Sequence, residues 1–381
     1  MRLRQLRPMP RFLALLGMVC NLAFTSAQSQ PSFSELKAKA ESGDAQAQVK
    51  VGLAYASGNG VPVDDSDAVR WFHKAAEQGD ATGEYSLGEM YAMGRGVKKD
   101  YKQAAQWIQK AADQGEIRAV SNLGAMYLNG LGVKKNEKKA FQLTQQAADK
   151  GLAAAQFGLG EMYASGRGVK QNLPKAVDWY TKAADQNDAP ALNNLAWLLA
   201  IAGDMTIRNT SKAVDLALRA VNATQEKVPE YLDTLATAYF ANGHPDKALK
   251  AEQKALALRP DDKTYQQSLR NYEEIAEAAK NLPASLSSGE LAHAGPGVTP
   301  PKAVYTPDPG PPAKKGSAKV VLWVIVGADG KVHDLRVVRS ANPDLDHKAL
   351  DTVRRWTFQP ARKNGQAVAV QISVEVSFRL D

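Results

Sequence analysis

Along the first half of the chain the apolar positions follow a helical period, and that pattern itself returns every 36 residues. Gly52, Gly88, Gly124 and Gly160 share one register position, and Tyr55, Tyr91, Tyr127 and Tyr163 share another. A G-x-G-V element follows each tyrosine, as Gly58-Asn59-Gly60-Val61, Gly94-Arg95-Gly96-Val97, Gly130-Leu131-Gly132-Val133 and Gly166-Arg167-Gly168-Val169. An alanine pair comes next: Ala75-Ala76, Ala111-Ala112, Ala147-Ala148 and Ala183-Ala184. Each unit reads as two helices. In the second copy Asp80 caps a helix carrying Tyr85, Leu87, Gly88 and Tyr91, and Gly94 takes a left-handed stop. Asp100 caps the partner helix, whose buried sector holds Ala104, Ala105, Trp107, Ile108, Ala111 and Ala112, and Gly115 ends it. A helix pair cannot bury its apolar face alone, so successive pairs stack into one core. The repeated Gly, Ala, Tyr and Trp positions build that stack and leave binding to the variable side chains between them.

The register continues past residue 187 in a looser form. Leu195-Ala196 keep the spacing and a helix is expected over 191–200, but the G-x-G-V loop is missing. Around Leu232, Leu235, Ala236, Tyr239, Ala248, Ala255 and Pro260 the spacing resembles a tetratricopeptide repeat, with Glu252 at a position usually apolar. A charged helix at Lys263–Lys280 suits a cap over the open end. Residues 281–318 then lose all periodicity and contain eight of the nineteen prolines, which reads as a linker.

From residue 320 the period becomes strand-like. The apolar run 320–326, the turn Gly327-Ala328-Asp329-Gly330 and the run 331–339 predict a hairpin. A helix opened by Asn342-Pro343-Asp344 places Leu345, Ala349, Val353 and Trp356 on one face. Val368, Val370, Ile372, Val374, Val376, Phe378 and Leu380 alternate with polar residues, predicting a long last strand with one buried and one wet face.

Composition narrows the function classes. With 381 residues, 44% hydrophobic and 23% charged, the chain has the balance of a multidomain globular protein. Its single cysteine, Cys20, excludes an internal disulfide framework. Half of the net charge of +8 sits on Arg2, Arg4, Arg7 and Arg11, and no basic stripe interleaved with aromatics remains for nucleic acid. Those arginines precede the apolar run 12–24 and the small residues Thr25-Ser26-Ala27, the layout of a secretory signal peptide. Thirteen helical residues span only ~20 Å, short of a ~30 Å bilayer core. Val19 before Cys20 disfavours lipidation, so export with cleavage after Ala27 is expected, and membrane association only if the segment is retained.

Two families match these motifs. The order L-G-x-x-Y-x-x-G-x-G-V, then D/N, then A-x-x-W, then K-A-A-x-x-G resembles the Sel-one-like repeat, with Leu143 in place of tryptophan in the third copy and Asn187 in place of the closing glycine in the fourth. The resemblance implies a right-handed all-α solenoid of helix pairs that scaffolds proteins or peptides. The residues G-A-D-G-K-V, then Ser340, Asn342, Pro343, Leu345, Asp346, Ala349, Leu350, Val353, Trp356, Phe358, Pro360 and Ala361, and finally V-E-V-S-F-R-L resemble the C-terminal domain of TonB-type energy transducers. That resemblance implies a small α+β domain with a three-stranded antiparallel sheet that captures an extended segment of an outer-membrane receptor by strand addition. The docking strand would be Val370, Gln371, Ile372, Ser373, Val374, Glu375, Val376, Ser377 and Phe378. The chain is thus expected to comprise a signal at 1–27, four repeats over 32–187, a degenerate and a tetratricopeptide-like repeat with cap over 188–280, the linker at 281–318 and the last domain at 319–381, with flanking motif from about 300.

No catalytic, cofactor or metal signature accompanies these folds. His73, His244, His293, His333 and His347 show no paired ligand spacing, and G-x-G-V is a helix-to-helix loop rather than a phosphate cradle. The expected function is an exported, periplasmic adaptor without cofactor or metal. An anchored energy transducer and an envelope regulator acting through the solenoid are the alternatives. A long edge strand also allows two copies to pair as a homodimer.

Overall fold

The computed structural model describes residues 32–202, 207–280, 292–293, 298–299, 301–305, 318–339 and 343–378. The export signal expected at 1–27, much of the linker, Ser340, Asn342 and Leu380 lie outside them. The chain divides into two compact units with the boundary between Asp188 and Ala189.

In the first unit α1 (Phe33–Glu41) precedes four helix pairs: α2 (Ala45–Ser57) with α3 (Asp65–Glu77), α4 (Ala81–Met93) with α5 (Tyr101–Asp113), α6 (Ile117–Asn129) with α7 (Glu137–Asp149), and α8 (Ala153–Ser165) with α9 (Leu173–Asp185). The caps fall where the pattern puts them. The Asp80 carboxylate accepts from Gly83 N at 2.8 Å, the Asp100 carboxylate from Lys102 N and Gln103 N, and Gly94 closes α4 with φ +75°. The carbonyl of each repeated tyrosine then accepts the backbone N–H that opens the partner helix: Asp64 to Tyr55, Asp100 to Tyr91, Asn136 to Tyr127 and Asn172 to Tyr163 at 2.8–3.0 Å. One backbone bond per repeat thus fixes the angle between its helices.

The repeated glycines on α2, α4, α6 and α8 are contact points. A Cβ on Gly52 would meet the Phe72 ring at 2.6 Å, one on Gly88 Ile108 Cγ1 at 2.6 Å, one on Gly124 Thr144 Oγ1 at 2.9 Å and one on Gly160 the Tyr180 ring at 2.6 Å. Those partners are buried, and each large apolar one gains about 1.5–3 kcal/mol from leaving water. The second loop glycine works between repeats. At Gly96 and Gly132 a side chain would collide with the carbonyls of Asp65 and Tyr101, each in the first turn of the preceding repeat's second helix. Arg95 adds a forked ion pair to Asp65 and donates to Ala56 O at 2.8 Å. Gln78 donates to Gln48 at 2.8 Å and Gln186 to Gln156 at 2.8 Å, each tying the end of a repeat's second helix to the start of its first; in the second copy Gln114 donates instead to the buried Glu84 at 2.7 Å.

The second unit opens with helices α10 (Ala189–Ile201), α11 (Thr210–Ala223), α12 (Pro229–Ala241), α13 (Pro245–Leu258) and α14 (Lys263–Lys280). Packing continues through Leu192, Leu195, Leu216, Leu232, Leu235 and Phe240, all buried. The expected cap, α14, does more than present charge, since Tyr265 and Tyr272 are both buried. Glu252, at the position expected to be apolar, is fully buried.

Among the described residues nine short or long strands follow, with one helix among them. They are β1 (Ala292–His293), β2 (Val298–Thr299), β3 (Lys302–Tyr305), β4 (Ala318–Val326), β5 (Val332–Arg339), β6 (Thr357–Gln359), β7 (Ala361–Lys363), β8 (Gln366–Val368) and β9 (Val370–Phe378), with α15 (Pro343–Val353) between β5 and β6. The antiparallel sheet of β9, β4 and β5 is the three-stranded core of the domain, and β1 adds to β9 in parallel. Val320, Leu322, Val324, Val326, Val374, Val376 and Phe378 pack with Leu345, Ala349 and Val353 of α15. Trp356, expected on the helix, follows a turn at 354–355 and packs at the edge of the same core.

The segment read as linker is partly structured. β2 pairs antiparallel with β7 and β3 with β6, and Val298 packs against the domain core.

Candidate functional site

The strand proposed from sequence as the docking element is β9, over the residues expected. Its whole length pairs antiparallel with β4, from Ala318 opposite Phe378 to Val326 opposite Val370. On its other side β1 pairs only with Val370 and Gln371. Among the described residues, the β1 ladder on that side stops at Gln371. The backbone of a long strand is what strand addition uses.

One expectation about β9 is corrected. Its polar-side face was predicted to be wet, yet Gln371 is buried, and Trp323 and Ile325 of β4 are fully buried although both point away from the α15 core. Toward the strand's end the expectation holds, with Glu375 half-buried and Ser377 exposed, while elements of the second unit cover its start. α14 lies against β5, with Asn271 Nδ2 donating to Val338 O at 2.8 Å. Burial lowers the Arg208 guanidinium from its ordinary value, and the Glu375 carboxylate of β9 partly offsets this. The alternation of β9 suggested solvent because it shows side-chain type and not what lies opposite.

A second arrangement sits on the first helices of the repeats, among the variable positions. Tyr85 OH donates to Glu89 at 2.7 Å, and Asn122 Nδ2 reaches Tyr85 OH at 3.3 Å and Glu89 at 3.4 Å. The Arg118 guanidinium stacks on the Tyr85 ring at 4.7 Å while its fork holds Glu116. Burial pushes the Glu89 carboxyl up, opposed by these bonds, and pushes Tyr85 up further. Two repeats on, Glu161 is raised to about 7 by burial, opposed by Arg167. The sequence pattern placed Tyr85 on its helix but singled out none of Glu89, Arg118, Asn122 and Glu161. The available signal was Glu89 and Glu161 at a register position where the other copies carry Leu53 and Ala125.

Among the repeated tyrosines, Tyr55 meets Phe33 edge-on at 5.6 Å, Tyr163 meets Phe141 at 5.5 Å, and Tyr127 OH accepts from Lys139 at 2.7 Å. Trp71, Trp107 and Trp179 each carry a lysine three residues on over the ring, at 4.3, 3.9 and 3.8 Å. These contacts serve the stack. Among the described residues no group of three or more His, Cys, Asp or Glu is placed to hold a metal, and no helix is long and apolar enough to cross a membrane.

The Sel1 repeat model matches five consecutive windows, 45–80, 81–116, 117–152, 153–188 and 189–224, and the Gram-negative bacterial TonB protein C-terminal model matches residues 313–380. The chain is a Sel1 repeat array joined to a TonB C-terminal domain. The fifth Sel1 window lies on the segment read from sequence as a degenerate continuation. A Sel1 repeat protein from Oxalobacter formigenes is similar at 28% identity, covering 58% of this chain and 89% of that one with a TM-score of 0.52. A protective antigen of uropathogenic Escherichia coli strains is 30% identical over 62% of this chain and 58% of its own, with a TM-score of 0.42. Two proteins named Protein TonB, from Xanthomonas campestris pv. campestris strains B100 and ATCC 33913, are each 41% identical over 64 residues, which is 16% of this chain. The chain spans 29% of the length of those relatives. Sel1 and TonB C-terminal domains are non-catalytic and mediate protein–protein contacts, and TonB C-terminal domains are typically periplasmic or membrane-associated.

Proposed function

We propose that this chain is an exported adaptor of the cell envelope, whose Sel1 array holds one protein while the TonB domain captures an extended peptide along β9. The observation that carries the reading is the long β9 itself, paired along its length with β4 and met by β1 only at Val370 and Gln371, in a domain of the TonB family. Backbone hydrogen bonds would supply affinity, and side-chain pockets beside the strand would supply selectivity. The test is titration of the full chain with peptides copied from periplasm-facing segments of outer-membrane receptors. A peptide that binds should lose binding when alternate backbone nitrogens are methylated, since side chains stay and only donors and space for pairing are removed. Binding indifferent to N-methylation would refute strand addition.

The identity to Protein TonB over 64 residues favours a second reading, an anchored energy transducer. The intact mass of the protein recovered from envelopes separates the two. A chain starting at Gln28 lacks the apolar segment 12–24 and acts as an adaptor; one retaining Met1 keeps the anchor that force transmission requires. The same strand allows pairing of two copies, which analytical ultracentrifugation of the full chain would register as a dimer.

A further inference from the structure

We infer that one edge of the Sel1 array, built from the loops between the helices of each pair, is a lysine-lined surface that docks on an anionic bilayer through its phospholipid headgroups, independently of the apolar segment 12–24. This goes beyond the adaptor reading and does not depend on strand capture. All the residues involved lie in the first unit. Lys98, Lys134 and Lys170 share one register position, directly after G-x-G-V, and Lys102 and Lys138 share another, in the first turns of α5 and α7. All five are exposed, and among the described residues none of their ammonium groups enters an ion pair.

The fold joins these positions into one surface. The backbone at Gly96 lies against the Asp65 carbonyl, that at Gly132 against the Tyr101 carbonyl and that at Gly168 against the Glu137 carbonyl, so each loop rests on the turn of the repeat before it. The lysines therefore recur along one edge at roughly the 8–10 Å spacing of packed helices. The acidic groups among them are already engaged: the Asp100 carboxylate caps α5, Lys135 bridges Glu137 at 2.8 Å, and Arg95 holds Asp65. The row stops at the first repeat, where Pro62 and Ser66 occupy the two register positions.

A second row marks the other end of the same helices. Glu77, Asp113, Asp149 and Asp185 are the last residues of α3, α5, α7 and α9, and all are exposed. Helices of 13 residues hold the two rows about 18 Å apart. A lysine at a helix start and a carboxylate at its end both oppose the helix dipole, so helix stability does not account for this placement. The dipoles of α5, α7 and α9 instead add their positive ends to the lysine edge. The charge is spread over three repeats and not gathered round one point, which suits an extended field of phosphates better than a single small anion. A bilayer rich in anionic lipid is such a field.

The test is co-sedimentation of the chain from Gln28, which keeps every described residue, with vesicles of phosphatidylcholine alone or with about 30% phosphatidylglycerol added. Wild type should bind only the anionic vesicles, and less as added salt shortens the screening length. K98E/K134E/K170E should weaken binding at least about a hundredfold, at about fivefold for each lysine lost. Glutamate at these positions suits the helix starts, so the variant should melt no lower than wild type, which separates docking from folding. K39E/K50E/K150E makes the same change in net charge at exposed lysines elsewhere on the first unit and should stay within about threefold of wild type. Equal loss in the two variants would show that net charge alone acts and would overturn the docking edge. Binding to phosphatidylcholine alone, or to neither vesicle, would overturn it too. An edge variant that keeps vesicle binding but loses binding to duplex DNA would overturn the assignment to a bilayer.

Discussion

Replacing Gly132 by alanine tests the claim that the second loop glycine clamps neighbouring repeats, when three other glycines are changed alongside it. The four positions separate two physical demands. Gly158 lies in α8 with ordinary room, its Cβ 3.5 Å from Thr144 Cγ2, so alanine there recovers the helical cost of glycine and stabilises by about 0.5–1 kcal/mol. Gly115 has φ +85° and no neighbour within 4 Å, so alanine meets only the left-handed backbone and costs about 1 kcal/mol. Gly88 is helical but would press its Cβ to 2.6 Å from Ile108 Cγ1 and 3.2 Å from Ala104 O. Overpacking of about 1–3 kcal/mol there outweighs the helical gain and leaves a net cost of about 1 kcal/mol. Gly132 combines φ +68° with a collision against the Tyr101 carbonyl, a backbone atom that cannot turn aside. The two penalties add to about 3 kcal/mol or more. Urea unfolding of the full chain followed by helical circular dichroism gives the order, and hydrogen exchange shows whether the loss centres on α5 and α6. A G132A chain as stable as G115A would refute the clamp. A G158A chain as weakened as G88A would refute the packing argument for the helical glycines.

Three further outcomes follow from single side chains. Glu161, raised to about 7, keeps in the folded chain a proton that the unfolded chain releases near 4.5, so stability should fall as pH rises between those values. That slope is bounded by about 3 kcal/mol, and E161Q should flatten it in melts run from pH 4.5 to 8. Glu84 is also raised, by burial opposed by its bond from Gln114, and E84Q restores the amide pair found at Gln48–Gln78 and Gln156–Gln186. It should stabilise the array by about 1 kcal/mol at pH 7, with the gain shrinking toward acid, as thermal melts would register. N271A removes the amide donated to Val338 O and should speed amide exchange in β5 about fivefold, with the exchange of α4 and α5 unchanged.

The helix pairs were legible because the repeat supplies its own controls. Four copies of Gly, Tyr, G-x-G-V and Ala-Ala at one spacing fix helix length, caps and the buried face together, and the caps of α2, α4 and α5 fall where the pattern places them. The reach of Gly132 onto Tyr101 was not legible, since a glycine in a loop announces a positive φ and says nothing of which carbonyl lies opposite. The Tyr85–Glu89–Asn122 network was missed for a related reason. It joins residues 37 and 33 apart through two helices, and only the departure of Glu89 from the apolar residues in sister copies hinted at it.

The last domain shows the same limit at the scale of a sheet. Period-two alternation identified β9 and its core side correctly, because a strand with one apolar face must bury that face. The opposite inference, that the polar side meets water, needs knowledge of every other element in the unit. Trp323 and Ile325 carried the warning, standing in a run apolar at every position from 320 to 326, which is the pattern of a strand covered on both faces. Once such a strand is central, the start of its neighbour β9 is held between the α15 core and the elements on the other side, so its backbone edge is the direction that strand addition would use.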